Sequence, residues 1–225
     1  MGQAEELHAL ARSVKQHLDG LKLWGVRELP MSQRRTPEHA KAAALRRLNQ
    51  QVKACTRCSL YRTRTHHVLG EGNPEAKLVF VGEAPGREED LQGKPFVGAA
   101  GQLLTKMIEA MGLRREDVYI CNVLKDRPPG NRIPLPEEVE ACLPFLIQQL
   151  EILHPNVICT LGAVAAKALL GPHVSIMQVR GHLSSYQQIP LIPTLHPAYL
   201  LRNPPAKRLV WQDLKKVKRI LEQGI

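Results

Sequence analysis

Residues 77–86 read Lys-Leu-Val-Phe-Val-Gly-Glu-Ala-Pro-Gly, an apolar run that passes directly into a turn rich in glycine and proline. The run is short and lacks polar alternation, which is typical of a strand buried on both faces of a sheet. The glycines permit a tight turn and let backbone N–H groups approach a ligand closely. Because open α/β sheets bind ligands at the carboxyl ends of their strands, the stretch predicts a parallel sheet with a ligand site at residues 82–86.

Strands and helices alternate along the rest of the chain. Apolar runs predict further strands at 118–124, 156–162 and 191–195, with a shorter one near 176–180. Amphipathic stretches predict helices at 37–53, 99–111, 136–151, a helix that ends at 170, and a basic helix at 206–222. This alternation predicts an α/β fold with three α/β/α layers, a central, largely parallel sheet of about four strands, and an N-terminal helical extension.

The N-terminal extension is predicted from residues 3–19, which have apolar side chains on one helical face and Gly20 near the end. Residues 23–36 are rich in glycine, proline and arginine and indicate a linker. We therefore interpret 1–36 as an N-terminal helix and linker and 37–225 as the α/β domain. The helix is a candidate for contact with another protein. Its predicted apolar face consists of Leu7, Leu10, Ala11, Val14 and Leu18.

Composition narrows the range of partners. The chain has 225 residues and a formal net charge of +10, which favours a polyanionic partner because Lys and Arg displace counterions from phosphates. A basic surface without a dedicated ligand is the alternative.

No apolar run approaches the ~20 residues needed to span a bilayer, and no signal peptide is recognisable. Five cysteines are an odd count that fits metal binding or burial better than disulfides. We expect a monomer in the reducing cytoplasm.

Cys55 and Cys58 form a C-x-x-C pair that lets two thiolates bind one metal centre, although the spacing also suits zinc or a redox pair. Cys142 is the best distant third ligand, and its alternative role is that of a small buried hydrophobe. Cys121 and Cys159 lie in predicted buried strands and are assigned to packing. Iron–sulfur clusters usually take four thiolates, so these residues leave a fourth ligand open.

Three residues suggest a pocket for a base. Phe96 lies in a Gly/Pro loop rather than in an apolar periodic element, which favours a stacking role over a core position. Asn122 interrupts an otherwise apolar strand, and its amide can read the polar edge of a base. His196 follows a strand end, from which an imidazole can donate to a developing anion. A structural role is the alternative for His196, as it is for any single histidine.

Five stretches, with the residues above, resemble the family 4 uracil-DNA glycosylases, the iron–sulfur branch of the uracil-DNA glycosylase superfamily. The stretches are Gly-Glu-Gly-Asn-Pro at 70–74, Val-Gly-Glu-Ala-Pro-Gly-Arg-Glu-Glu-Asp at 81–90, Gly-Lys-Pro-Phe-Val-Gly-Ala-Ala-Gly at 93–101, Arg-Pro-Pro-Gly-Asn-Arg at 127–132 and Leu-His-Pro-Ala-Tyr-Leu-Leu-Arg at 195–202. The resemblance implies a DNA repair enzyme that flips uracil out of single- or double-stranded DNA. It also implies hydrolysis of the N-glycosidic bond, which leaves an abasic site.

The resemblance also implies roles in base binding. Phe96 would stack on uracil, Asn122 would hydrogen-bond its polar edge, and His196 would donate to the uracil oxygen that gains charge. The turn that lines the uracil pocket would consist of Gly82, Glu83, Ala84, Pro85 and Gly86.

The resemblance further implies roles in water activation and duplex entry. Other branches place Asp or Asn where this chain has Ala84, so water would be positioned by Glu83, Glu89 or the backbone. The loop that enters the duplex would comprise Leu200, Leu201 and Arg202.

The implied cofactor is a 4Fe-4S cluster, and here the chain departs from the family. The family's third cluster cysteine falls in a Lys-Cys-Arg-Pro-Pro run, whereas this chain has Asp126 at that place. Our leading hypothesis is a cluster bound by Cys55, Cys58, Asp126 and Cys142. The alternatives are an open iron site filled by water, a three-iron cluster, or no cluster.

Two other functions remain open. A non-catalytic iron–sulfur DNA-binding module would keep the basic face and the cluster without needing the three pocket residues together. A related branch traps DNA covalently through a histidine in a Lys-Arg-Arg-Ile-His insert, which this sequence lacks.

Overall fold

The computed structural model describes residues 2–23 and 37–223, so the predicted linker lies, apart from Leu23, outside the described residues. The chain divides into two compact units, Met1–Thr36 and Pro37–Ile225, and each is described by itself. In the first unit, helix α1 spans Gly2–Leu23. Its Leu7, Leu10 and Val14 side chains are exposed. Contact between this helix and another protein stays a prediction.

The second unit is built on one sheet of six strands with the order β1-β3-β2-β4-β6-β5. The strands are β1 Gly70–Gly72, β2 Leu78–Gly82, β3 Tyr119–Asn122, β4 Val157–Leu161, β5 Ser184–Tyr186 and β6 Ile189–Thr194. The four central strands are parallel, and β1 and β5 are antiparallel strands at the two edges. The predicted parallel core of about four strands is confirmed, and the two edge strands add to it.

Helices cover both faces of this sheet. They are α2 Pro37–Lys53, α3 Arg87–Gln92, α4 Ala99–Ala110, α5 Pro136–Leu153, α6 Ala163–Leu170, α7 Ile176–Val179, α8 Pro197–Arg202 and α9 Lys207–Gln223. Alternate residues of β2 point to opposite faces. Phe80 packs in a cluster with Leu104 of α4 and Leu214 of α9, whereas Val81 packs in a second cluster with Leu146 of α5. These two clusters form the two interfaces of the predicted three-layer fold.

The strand predicted near 176–180 is wrong, because residues Ile176–Val179 form the short helix α7. The strand on this side is β5, which pairs with β6 through a hairpin. Gln187 and Gln188 at its tip both have positive φ, 46° and 69°. This is the backbone of the tight turns that usually carry Asn-Gly or Asp-Gly, so a Gln-Gln tip gave no signal in the sequence.

No helix in the ranges that the structure describes is both long and apolar enough to cross a bilayer.

Candidate active site

The site lies where the parallel strands β2 and β3 end side by side. Gly82 and Asn122 are register partners at these two ends. Beyond them, Val123 N–H donates to the Gly82 carbonyl and Leu124 N–H donates to the Glu83 carbonyl, each at 3.0 Å. These bonds hold the turn after β2 against the chain that follows Asn122, so the two predicted pocket segments form one wall.

Phe96 closes this wall from the side. A Cβ atom built on Gly82 would lie 2.5 Å from Phe96 Cζ and would also collide with Asn122 Oδ1. The Phe96 ring also lies beside the His196 ring, with 5.6 Å between centroids. Gly82, Phe96, Asn122 and His196, predicted from four separate places in the sequence, are therefore brought together. The close approach also shows why residue 82 has no side chain.

Glu89 holds the loop that carries Phe96. Its Oε1 accepts hydrogen bonds from Val97 N–H and Gly98 N–H, both at 2.9 Å, and its Oε2 accepts from Gly86 N–H at 3.1 Å. These bonds fix the neighbours of Phe96, whose φ of 51° is rare for an aromatic residue. Because both carboxylate oxygens are engaged by backbone, the geometry favours a positioning role for Glu89 over the predicted activation of water.

Asn122 presents a buried acceptor at the centre of the wall. The residue is 1% exposed. In the part of the chain that the structure describes, its Oδ1 has no hydrogen-bond partner. An unsatisfied buried polar atom costs about 1–3 kcal/mol, so such atoms need an explanation. A ligand with an N–H group would supply the missing donor.

His196 is held as a neutral donor. It caps α8, and its Nδ1 accepts a hydrogen bond from Ala198 N–H at 3.1 Å. Burial, with a smaller contribution from the Arg202 charge, lowers the pKa of His196 to about 4. Because Nδ1 acts as the acceptor, the single ring proton lies on Nε2. The imidazole therefore offers one N–H donor without carrying a positive charge at neutral pH.

The other residues of the turn have different environments. Glu83 is partly buried, and burial raises the pKa of its carboxyl group. Pro85 is buried, Ala84 packs against the core cluster around Val81, and Gly86 caps the start of α3. Glu83 is thus the carboxylate of this turn that remains a candidate to position water.

The predicted duplex-entering loop needs a correction. Leu200 is 1% exposed and packs in the core with residues of α4 and α9, because its position on α8 faces inward. Leu201 is 47% exposed and Arg202 is exposed as well. Tyr199, which the sequence reasoning missed, is also exposed. The outward face of α8 thus presents Tyr199, Leu201 and Arg202, and the alternation of burial along this one turn was not visible in the Tyr-Leu-Leu-Arg run.

The predicted cluster ligands lie in one region, although they do not form a closed site. Cys55 and Cys58 follow α2, and Cys142 lies in α5. Burial raises the pKa of Cys142 to about 11, and the charges of Cys58 and Asp126 add to the increase. Among the described residues, no three His, Cys, Asp or Glu side chains are grouped closely enough to bind one metal ion. Cys121 and Cys159 are fully buried in the two core clusters.

Asp126 is already engaged by another side chain. Arg64 Nη1 donates to Asp126 Oδ1 and Oδ2 at 3.1 and 3.0 Å. Cys55, Cys58 and Cys142 carry free thiols of the type that binds iron–sulfur clusters, but among the described residues they are not grouped as a metal site. Asp126, at the fourth predicted position, is paired with a guanidinium.

Comparison with known proteins agrees with this geometry. The family model described as the uracil DNA glycosylase superfamily matches residues 69–215, which include the whole wall and α8. The match covers more than half of the chain, so the chain belongs to this superfamily.

Individual relatives define the branch. The chain is 50% identical over 180 residues to the type-4 uracil-DNA glycosylase of Thermotoga maritima, a match that covers 78% of this chain and 94% of the relative. It is 47% identical over 176 residues to that of Archaeoglobus fulgidus, covering 75% and 88%. For that of Sulfurisphaera tokodaii the identity is 44% over 186 residues, covering 79% and 84%. The chain belongs to the type-4 uracil-DNA glycosylases.

Proposed function

We propose that this protein is a DNA repair enzyme that removes uracil from single- and double-stranded DNA by hydrolysing its N-glycosidic bond. Membership of the type-4 family supports this function. The observation that carries it is the Asn122 amide, a buried acceptor without a partner among the described residues, which lies against Phe96. Uracil presents N3–H next to O4, so its polar edge gives Oδ1 a donor and Nδ2 an acceptor. The Phe96 ring gives the base a stacking surface.

His196 acts on the leaving group. As the glycosidic bond lengthens, negative charge accumulates on uracil and positive charge on the sugar. The Nε2–H of His196 donates to the uracil oxygen that gains charge, and it requires no reorientation because Nδ1 is held by Ala198 N–H. Removal of one such preorganised donor costs about 3 kcal/mol in other enzymes.

Glu83 is the residue we assign to the water and the sugar. It follows Gly82 in the turn and is partly buried, and in this position its carboxylate would face the sugar of a base stacked on Phe96. Glu89 acts indirectly, by holding the loop that carries Phe96.

The DNA must present the base outside the stack, at a cost of a few kcal/mol. The chain has a formal net charge of +10, which favours binding to the phosphate backbone. We assign the outward residues of α8, Leu201 and Arg202 with Tyr199, to the duplex side of the site because they are exposed next to His196. In that position these side chains would fill the gap that the flipped uracil leaves in the base stack.

An iron–sulfur cluster bound by Cys55, Cys58 and Cys142 would cross-link the segment after α2 to α5. No step of base release passes through it.

The test is uracil release from uracil-containing oligonucleotides, single-stranded and paired with guanine. We expect release by the wild type and loss of most activity in Asn122→Ala. The matched control is Asn156→Ala, which changes the same side chain at the amino end of β4, away from the wall. A near-normal single-turnover rate in Asn122→Ala would contradict the pocket assignment. Absence of release by the wild type would favour a non-catalytic DNA-binding module, and a denaturation-resistant adduct would favour the covalent branch.

A further inference from the structure

The loop that carries Phe96 is held from a second side by an arginine. Arg115 begins a 3₁₀ turn, Arg115–Asp117, just before β3. Its Nη2 donates to the Pro95 carbonyl at 2.6 Å, and its Nη1 donates to Thr105 Oγ1 in α4 at 3.2 Å. The Arg115 side chain is 26% exposed. One guanidinium thus joins the turn before β3 to the Phe96 loop and to α4.

Two charged side chains fix the two peptide groups that flank Phe96. Arg115 holds the peptide before Phe96 through the Pro95 carbonyl, and Glu89 holds the peptide after it through Val97 N–H. The φ and ψ angles of a residue are the rotations that relate these two peptide planes, so the two contacts together determine the backbone of Phe96. Its φ of 51° is rare for an aromatic residue and persists only where the surroundings impose it.

Helix α4 supplies a third constraint. A Cβ atom built on Gly101 would overlap the Phe96 carbonyl, so the loop lies directly against the first turn of α4. Thr105 Oγ1, the second acceptor of Arg115, donates in turn to the Gly101 carbonyl at 3.2 Å. The Glu71 carboxylate lies 4.0 Å from Arg115 Nη2 and is 42% exposed, and an ion pair this exposed contributes little. The hydrogen bonds, rather than the ion pair, therefore tie Arg115 to the loop.

We propose that Arg115 is a positioning residue for base binding, which holds the Phe96 ring where uracil stacks. The ring is confined, because it lies against Gly82 and beside the His196 ring. A rotation of the Phe96 backbone would move the ring away from the base or onto the imidazole. Arg115 lies before the amino end of β3, whereas Asn122 lies at its carboxyl end, so Arg115 acts on the site through the loop. This role rests on the proposed function, since Arg115 can position the ring for uracil only if the site binds uracil.

The experiment compares Arg115→Met with Arg114→Met in single-turnover release of uracil from a single-stranded uracil oligonucleotide, over a range of enzyme concentrations. Methionine keeps an unbranched apolar stem and cannot donate to the Pro95 carbonyl. Arg114 is the matched control, because its side chain is 74% exposed and pairs with Glu116 and Asp117.

We expect the maximal rate of Arg115→Met to fall about tenfold, because a misplaced ring loses its stacking contact with the base. The enzyme concentration at half-maximal rate should stay within about twofold of the wild-type value, since contacts with phosphates dominate affinity for DNA. Arg114→Met should match the wild type in both quantities.

A double-mutant comparison separates positioning from a general loss of stability. If Arg115 acts through the Phe96 ring, Arg115→Met should cost less than about twofold in a Phe96→Ala background, where no ring is left to misplace. Arg115→Lys can still donate to the Pro95 carbonyl and should recover part of the lost rate. Urea unfolding is measured for each variant. If Arg115→Met does not fold, Arg115→Lys is compared in the same two backgrounds, and its smaller loss should likewise disappear in Phe96→Ala.

Four results would each overturn the role of Arg115. They are a maximal rate for Arg115→Met within about twofold of the wild type, a loss confined to the half-maximal enzyme concentration, an equal loss in the Phe96→Ala background, and an equal loss in Arg114→Met. Absence of uracil release by the wild type would overturn the proposed function, and the role of Arg115 with it. Because the wild-type rate is measured in the same assay, the two failures are distinguishable.

Discussion

Replacement of His196 by alanine tests the chemistry of the site most directly. The change removes the Nε2–H donor and leaves the stacking surface of Phe96 and the Asn122 amide in place. By comparison with other preorganised donors, we expect the single-turnover rate of uracil release to fall about 100- to 1000-fold, or about 3–4 kcal/mol. Affinity for uracil-containing DNA should change far less, since the donor acts on charge that develops only as the bond breaks.

The pH dependence of the same reaction has a defined sign. The pKa of His196 is lowered to about 4, below the value of about 6.5 for an unperturbed histidine. The residue is therefore neutral in the folded protein from neutral pH down to nearly 4, so its titration should affect the rate only as pH falls through about 4, where protonation of Nδ1 breaks the hydrogen bond from Ala198 N–H that holds the ring. Because the unfolded chain takes up this proton first, the residue also lowers folding stability as pH falls from about 6.5 to 4, by about 3 kcal/mol in all.

The assay is rapid quenching of a single-stranded uracil oligonucleotide with enzyme in excess, at several pH values. The control is His173→Ala, which removes an exposed imidazole in the loop after α6. A rate for His196→Ala within a few-fold of the wild type would refute the donor role. A wild-type profile that breaks near pH 6.5 would refute the assignment of a half-buried imidazole that is neutral at that pH.

Four further substitutions follow from the contacts of the site. Gly82→Ala should abolish most uracil release while the protein remains folded by circular dichroism, because the added Cβ would lie 2.5 Å from Phe96 Cζ. A normal rate of uracil release would show that the Phe96 ring is not confined by Gly82. Leu200→Ala should lower the free energy of unfolding in urea by about 2–5 kcal/mol. Leu201→Ala should leave stability unchanged and slow uracil release from duplex DNA more than from single-stranded DNA. A stable Leu200→Ala variant beside a destabilised Leu201→Ala variant would reverse the two assignments. Glu89→Gln should reduce the rate by about tenfold, since the amide keeps one acceptor oxygen, and should leave the shape of the pH profile intact. Disappearance of the fall in rate at low pH would instead identify Glu89 as the base, because a general base must be deprotonated to act.

Much of the fold could be predicted from local pattern. The apolar runs before Gly82 and around Asn122 indicate buried strands because a parallel strand covered on both faces has no polar side. The edge strands Gly70–Gly72 and Ser184–Tyr186 have only three residues each. Segments this short contain too little periodicity to recognise, and they are strands because a neighbour supplies their hydrogen bonds.

The amino-acid sequence by itself determined the type and order of the main elements, the family, and which strand ends carry Gly82, Asn122 and His196. These features depend on residues close together in the chain. Only the tertiary structure decided which polar groups are free to act. Glu89 and Asp126 are both carboxylates that were predicted to take part in the chemistry of a site. In the fold, however, Glu89 accepts hydrogen bonds from backbone N–H groups eight and nine residues away, and Asp126 pairs with an arginine 62 residues away. A side chain is available to a ligand when the fold brings no other partner to it, and that depends on distant parts of the chain.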